Sequence, residues 1–373
     1  MEFRFSVPAQ VRFGRGVSGS IGQLLEELGV KKAMLVHGKG VARAGLTAGL
    51  EDSMQKAGVA VVDYDGVEPD PTDVSMEAGA SLAKAEQVQA IVALGGGSAM
   101  DCAKGINILL RTPGPLSQYE GGDRVPNPGL PLICLPTTAG TSSEITAVSI
   151  VRDTTLGRKY VVAGRNVGAD YALIDPDLAD NLSPRVAADA GMDALTHAIE
   201  SYVSLGATPL TKAVALKAAG IFYRSLDEAV NRPEAAEARE QMALGCVMVG
   251  CSFTNAGLGL VHAIAHTLGA HFGVAHGAAC AAMLPYVIGY NYDCARQGYD
   301  ELRQELAPGA TEPLPELILG LMERVHMRRL KELGVPESSL PFLAQETMKE
   351  DYLTNPNQTV TPETVLELLR QAY

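Results

Sequence analysis

Four of the chain's seven histidines, His262, His266, His271 and His276, fall within one short stretch. From Gln241 to Tyr292 the surrounding text has no Asp, Glu, Lys or Arg. A segment that excludes charge yet keeps imidazoles is predicted to be buried, and a buried imidazole needs a polar partner. One metal ion serves several imidazoles at once, because neutral imidazole is its commonest protein ligand. Upstream, Asp193 and His197 in GMDALTHAIE are four apart, which puts both side chains on one face of a helix. His262 and His266 repeat that spacing, and His276 follows the loop FGVAHG. A single pair reads as an ordinary polar face. Two pairs plus a further histidine in charge-poor text point to a carboxylate-and-imidazole site for a divalent first-row ion. Spacing alone leaves open which of the four downstream histidines bind.

A second chemistry is written in two turns. Gly95, Gly96 and Gly97 follow an apolar run and precede a helical pattern beginning Ser98-Ala-Met-Asp101. Glycine lets backbone approach a pyrophosphate, and a helix N-terminus offers unpaired N–H groups and a positive dipole end. Ser98 is expected to cap that helix, with Asp101 in its first turn. PTTAGTSSE (136–144) follows another apolar run and offers Thr137, Thr138, Thr141, Ser142 and Ser143, with Thr141 and Glu144 spaced as a capping box. Each turn alone reads as a capped helix start. Two of them at strand ends make a dinucleotide site, since ligands bind at that edge of a doubly wound sheet.

The elements that must hold these residues follow from periodicity. KKAMLVHG (31–38), VAVVDYDG (59–66), VQAIVALGGG (88–97) and LPLICLPTT (130–138) read as strands. They are separated by helical patterns near 42–57, 72–85 and 98–110. That alternation predicts a parallel, doubly wound sheet. Residues 112–131, rich in Gly and Pro, are expected to be loop. Beyond about 182 the pattern turns helical, at 184–204, 208–229, 234–251, 259–270 and 277–291. The fold expected is a Rossmann-like α/β domain over 1–182 followed by an all-helical, metal-binding domain over 183–373.

Bulk properties bound the function. A net charge of −13 argues against nucleic acid or an anionic membrane as partner. The six cysteines form no CxxC pair and read as reduced thiols of a cytoplasmic protein. MEFRFSVPAQ lacks the apolar region of a secretory signal. The charge-free segment is long enough for a membrane span, but its histidines, glycines and Asn255 favour a buried core.

Taken together, VRFGRGV, GGGSAMDCAK, PTTAGTSSEIT, ALIDPDL, GMDALTHAIE, AGLGLVHAIAH and FGVAHG resemble the iron-dependent, or group III, alcohol dehydrogenases over nearly the whole chain. The resemblance implies that Asp193, His197, His262 and His276 bind Fe2+, with Zn2+ also compatible. It implies His266 as a supporting or proton-relay residue, and leaves His271 structural. It places Gly96, Gly97, Ser98, Thr137, Thr138, Thr146 and Lys159 at NAD or NADP, and Phe253 at the substrate pocket. Asp101 and Thr141 join the cofactor set from the two turns. The implied reaction is hydride transfer between a small primary alcohol, or its aldehyde, and the nicotinamide. A homodimer or larger homo-oligomer is implied as well.

Two positions depart from the pattern. Gly38 stands where many NAD-preferring members carry Asp, so no carboxylate repels a 2′-phosphate there, and His37 and Lys39 lie close in sequence. Asp70 stands where some members show Asn. Gly38 favours NADP and Asp70 opposes it. The rival readings are a glycerol dehydrogenase-like zinc enzyme, a maleylacetate reductase-like or dehydroquinate synthase-like relative, and a binding protein on the same scaffold.

Overall fold

The computed structural model describes residues 2–180, 182–232, 234–350 and 354–373. The chain divides into two compact units, one of 7–138 with 142–181, the other of 1–6, 139–141 and 182–373.

The first unit is α/β. Its strands are β1 (Gln10–Phe13), β2 (Lys32–Gly38), β3 (Ala60–Val67), β4 (Ala90–Gly95), β5 (Gly121–Gly122), β6 (Leu132–Pro136), β7 (Val148–Asp153), β8 (Arg158–Ala163) and β9 (Tyr171–Ile174). Six of them form one sheet in the order β1-β9-β6-β4-β2-β3, every pair parallel. Alternation builds two cores from the same strands. Met34, Val36, Ile91, Ala93, Leu132 and Cys134 enter one cluster, whereas Ala33, Leu35, Val92, Leu94, Ile133 and Leu135 enter the other. Successive side chains point to opposite faces, so a strand covered on both sides must be apolar throughout. The helices are α1 (Ile21–Glu27), α2 (Lys39–Arg43), α3 (Thr47–Lys56), α4 (Asp73–Ala85) and α5 (Gly97–Arg111).

The expected strands near 31–38, 59–66, 88–97 and 130–138 correspond to β2, β3, β4 and β6. The sequence reading contained neither β1 and β9 nor the small sheet β5-β8-β7. The single helix expected over 42–57 is instead α2 and α3, interrupted where Gly45 takes φ +73°. The 112–131 loop carries a 3-10 turn at Leu116–Tyr119 and the two-residue β5.

The second unit is helical: α6 (Pro184–Val203), α7 (Pro209–Asn231), α8 (Ala236–Ala256), α9 (Leu260–Phe272), α10 (His276–Asn291), α11 (Arg296–Leu306), α12 (Leu314–Arg324), α13 (Leu340–Thr347) and α14 (Pro362–Gln371). No strand occurs among its described residues. Hydroxyls at Ser183, Thr208 and Thr361 cap α6, α7 and α14, each with Pro in the first turn. The charge-free segment forms the end of α8 and all of α9 and α10, whose apolar faces share one core. Helices α8 and α9 meet at a 99° bend, and among the described residues no single helix is long and apolar enough to cross a membrane.

Candidate metal centre and dinucleotide loops

Helix α6 presents Asp193 and His197 one turn apart, and Glu200 one turn further on, all buried. Helix α9 brings His262 in its first turn, and α10 opens with His276. Asp193 Oδ1 lies 3.7 Å from His197 Nδ1, 3.6 Å from His262 Nε2 and 3.5 Å from His276 Nε2. These separations exceed a hydrogen bond. Asp193 Oδ1, His197 Nδ1 and His262 Nε2 are accordingly buried polar atoms without a hydrogen-bond partner. Burial without a partner is costly. Two donors on one Zn2+ at ~2.0–2.1 Å in tetrahedral array stand roughly 3.4 Å apart, close to what is seen here. The residues therefore suit a divalent cation. Asp193, His262, His276 and Cys280 also offer ligand atoms all within 4.8 Å of one another.

Electrostatics agree. Burial works against the charged form of Asp193, but His197, His276 and His262 outweigh it and hold the carboxyl well below its usual range. Burial lowers His197 and His276, which keeps them neutral with lone pairs to give. Burial also acts to lower His262, but Asp193 and Glu200 overcome it and raise that ring. Burial, aided by Asp193 and Glu200, keeps the Cys280 thiol well above its ordinary value. This is a pocket that attracts positive charge.

Glu200 was absent from the sequence reading. Its Oε2 lies 2.6 Å from His262 Nδ1, and it accepts hydrogen bonds from Gly259 N (3.0 Å) and Val261 N (2.7 Å). The carboxylate thus caps the N-terminus of α9, where no side chain of the cap residue does so, and fixes the His262 ring. With Nδ1 engaged by Glu200, Nε2 is the ring atom that faces Asp193 and is left to a metal ion.

The other expected residues take distinct places. Phe253 stacks on His197 with ring centroids 4.3 Å apart. His266 stacks on His276 at 5.3 Å, is partly exposed, and has Nδ1 3.5 Å from Glu350 Oε2. His271 points elsewhere, packing edge-on against Phe342 and lying 3.8 Å from Glu346.

In the α/β unit, β2 has β3 on one side and β4 on the other, the switch point at which such sheets bind ligands. The chain leaving β2, β3, β4 and β6 there carries Gly38, Asp70, Gly96–Gly97 and Thr137–Thr138. Gly95 turns at φ +150°, and a Cβ on it would fall 2.8 Å from that of Ala99. The strand consequently enters its helix early: Gly96 is the cap of α5 and Ser98 its second residue, not the cap expected. No side chain caps α5, so none competes with an anion for its first N–H groups. A Cβ on Gly96 would sit 3.2 Å from Thr138 Oγ1, and Thr137 N donates to Gly95 O (2.9 Å), which ties the two loops together.

Beneath them lies a buried network. Lys104, fully buried on α5, donates to the carbonyls of Ser143 and Val148 and to Ser143 Oγ. The cap residue here is Ser142 (φ +52°), which opens a short 3-10 turn over Ser143–Ile145, where Thr141 was the cap expected; Lys104 donates to the Ser143 carbonyl in that turn. The Asp101 carboxylate accepts from Ser143 Oγ (2.7 Å) and Ile150 N (3.2 Å), so it braces the turn from within. Thr146 Oγ1 is 3.4 Å from both Lys104 Nζ and Ser143 O. Thr141 falls in 139–141, grouped with the helical unit. Lys159 on β8 pairs with Asp70 at 2.6 Å. His37 is buried with Nε2 2.7 Å from Asp63, so its ring is engaged, while Lys39 is exposed at the start of α2.

A family model described as iron-containing alcohol dehydrogenase matches residues 8–176, and the C-terminal model of the Fe-containing alcohol dehydrogenase family matches 187–373. The chain is 34% identical to 1,3-propanediol dehydrogenase of Klebsiella pneumoniae, over 100% of this chain and 99% of that one. It is 34% identical to lactaldehyde reductase of Escherichia coli strain K12, over 97% of each. The crystal structure of sulfoacetaldehyde reductase from Bifidobacterium kashiwanohense in complex with NAD+ superposes with a TM-score of 0.93 at 29% identity, covering 100% of this chain and 99% of the other.

Proposed function

Because the chain belongs to the iron-containing alcohol dehydrogenase family and is an oxidoreductase interconverting alcohols and aldehydes with NAD(P), we propose that Asp193, His197, His262 and His276 hold its metal ion. The observation that carries this is the convergence of buried, partnerless atoms on Asp193 Oδ1, backed by Glu200. A bound Fe2+ or Zn2+ supplies Lewis-acid polarisation of the alcohol or aldehyde oxygen, and NAD(P) exchanges the hydride. The chain's own residues do the rest. Glu200 fixes the His262 tautomer and aim. Asp193 contributes the negative charge that retains the ion. Phe253 closes one side of the His197 ring with apolar surface, which keeps water from it. His266, half open to solvent and stacked on His276, passes the alcohol proton outward, with Glu350 as its acceptor.

Gly96, Gly97 and Ser98 at the N-terminus of α5, with Thr137 and Thr138 from the neighbouring loop, would hold the cofactor's pyrophosphate. The Lys104 network supports that loop, with Asp101 and Thr146 as part of it. Lys159 and Asp70 form one paired unit at the cofactor edge, and Gly38 leaves room beside the adenine ribose. The substrate class is a small polar primary alcohol or aldehyde, as the names of the relatives suggest. We place the enzyme in the cytoplasm, on six cysteines whose spacing forms no CxxC pair. We read it as a homo-oligomer, on the exposed apolar Val11 and Phe13 of edge strand β1.

The test is His262→Ala, with metal content and alcohol oxidation measured on the same preparation. Loss of both is expected. Full retention of metal and activity overturns the assignment.

A further inference from the structure

We propose that Cys280 is a sulfur donor of this same metal centre, and that its thiolate biases the site toward Zn2+ over Fe2+. The inference rests on the metal-centre reading above and alters its donor set: Asp193, His262, His276 and Cys280 form the inner four, and His197 is the more distant donor. Helix α10 sets His276 and Cys280 one turn apart on one face. Cys280 Sγ lies 3.8 Å from His276 Nε2, and falls within the 4.8 Å set formed with Asp193 and His262. A nitrogen and a sulfur bound to one Zn2+ at ~2.1 and ~2.3 Å stand roughly 3.6 Å apart in tetrahedral array. Cys280 Sγ and His276 Nε2 are in hydrogen-bond contact at a separation close to that of two donors on one ion. His197 lies outside this tightest set, although its Nδ1 is 3.7 Å from Asp193.

An independent observation points to an ion at this spot. Asp193 Oδ1 and His262 Nε2 are buried, aimed into the cluster, and without hydrogen-bond partners. Cys280 is itself fully buried and is a free thiol. A divalent cation in this set would meet the Cys280 sulfur as thiolate, its proton displaced by the ion. Thiolate is a soft ligand that suits Zn2+ and Co2+ better than an oxygen or nitrogen donor would. Replacing it with a hard or neutral side chain should therefore shift the site's choice of metal while leaving a metal site in place.

The experiment uses the full-length enzyme produced in metal-defined medium with Co2+ as the sole added transition ion. Visible d–d absorption reports cobalt in the centre, and near-ultraviolet sulfur-to-cobalt charge transfer reports the thiolate. Both are expected in the wild type. Cys280→Ser should keep the d–d bands and lose the charge-transfer band, whereas His262→Ala should lose both. X-ray absorption on the wild type should show a sulfur scatterer at about 2.3 Å, a readout that needs no variant. In medium with equal iron and zinc, the zinc-to-iron ratio should fall roughly tenfold from wild type to Cys280→Ser. Cobalt d–d bands without charge transfer in the wild type, or charge transfer undiminished in Cys280→Ser, overturns the role of Cys280 alone. An unchanged zinc-to-iron ratio overturns the metal preference. Absence of d–d bands from the wild type overturns the metal-centre reading itself.

Discussion

Glu200 does three jobs with one carboxylate: it fixes His262, caps α9 through Gly259 N and Val261 N, and adds negative charge beside the ligands. A glutamine can serve the backbone N–H groups with its oxygen but has fewer acceptor sites for the imidazole. Glu200→Gln should therefore weaken metal affinity by about 10–100-fold, the usual effect of removing the partner behind a ligating histidine. Glu200→Ala should in addition leave two N–H groups unpaired, at ~1–3 kcal/mol for each such loss. Metal titration and thermal melting of both variants separate these effects, and equal affinity in Glu200→Gln would refute the orienting role. Glu200 was legible by the argument applied to the histidines. In GMDALTHAIE it lies three residues past His197, on the face that must point inward, and a carboxylate there needs a partner too. What spacing could not supply was the partner, a histidine 62 positions away.

At the scale of elements, the long apolar runs were legible because β2, β4 and β6 are covered on both faces and must be apolar throughout. Strand β1 was not, because QVRF is a short, largely exposed edge whose pairing with β9 leaves little apolar signal. The β7–β8 hairpin was hidden in the same way, by charged ends and a half-exposed face. Cap assignments at Ser98 and Thr141 failed for another reason. A glycine turn and a buried lysine set the backbone there, and tertiary contacts override local capping preference. The end of β2 carries its own prediction. Gly38 has φ −91°, and a Cβ on it would meet the Val67 carbonyl at 3.4 Å and Val67 Cβ at 4.0 Å, both ordinary contacts. Gly38→Asp is thus accommodated without strain and places a carboxylate beside the ribose. Activity with NADP should fall at least tenfold while that with NAD is kept, as the ratio of kcat/KM values for the two cofactors will show. An unchanged ratio would mean that Gly38 does not face the 2′-position.

At the scale of the whole molecule, the charge-free segment has a structural meaning beyond burial. The proposed ligands come from three helices, α6, α9 and α10, which are packed in one apolar core with no charged side chain on α9 or α10 to compete for an ion. In that text the histidines stand out against the missing charge, whereas Cys280 reads as one more buried apolar side chain, and the candidate cofactor edge is spread over four loops. A cation bound to the folded helices and not to the unfolded chain adds RT ln(1 + [L]/Kd), about 2.7 kcal/mol at a hundredfold excess over Kd. For a unit of this size each kcal/mol moves the melting temperature by roughly 2–4 °C. Zinc-loaded enzyme should accordingly melt about 5–10 °C above the chelated form. His262→Ala should melt at one temperature with or without zinc, since its site no longer distinguishes folded from unfolded chain. Calorimetry of the two proteins, each loaded and chelated, checks this. A loaded wild type that melts with its chelated form would show that the three helices do not depend on the ion, and that the partnerless atoms around Asp193 are tolerated by packing alone.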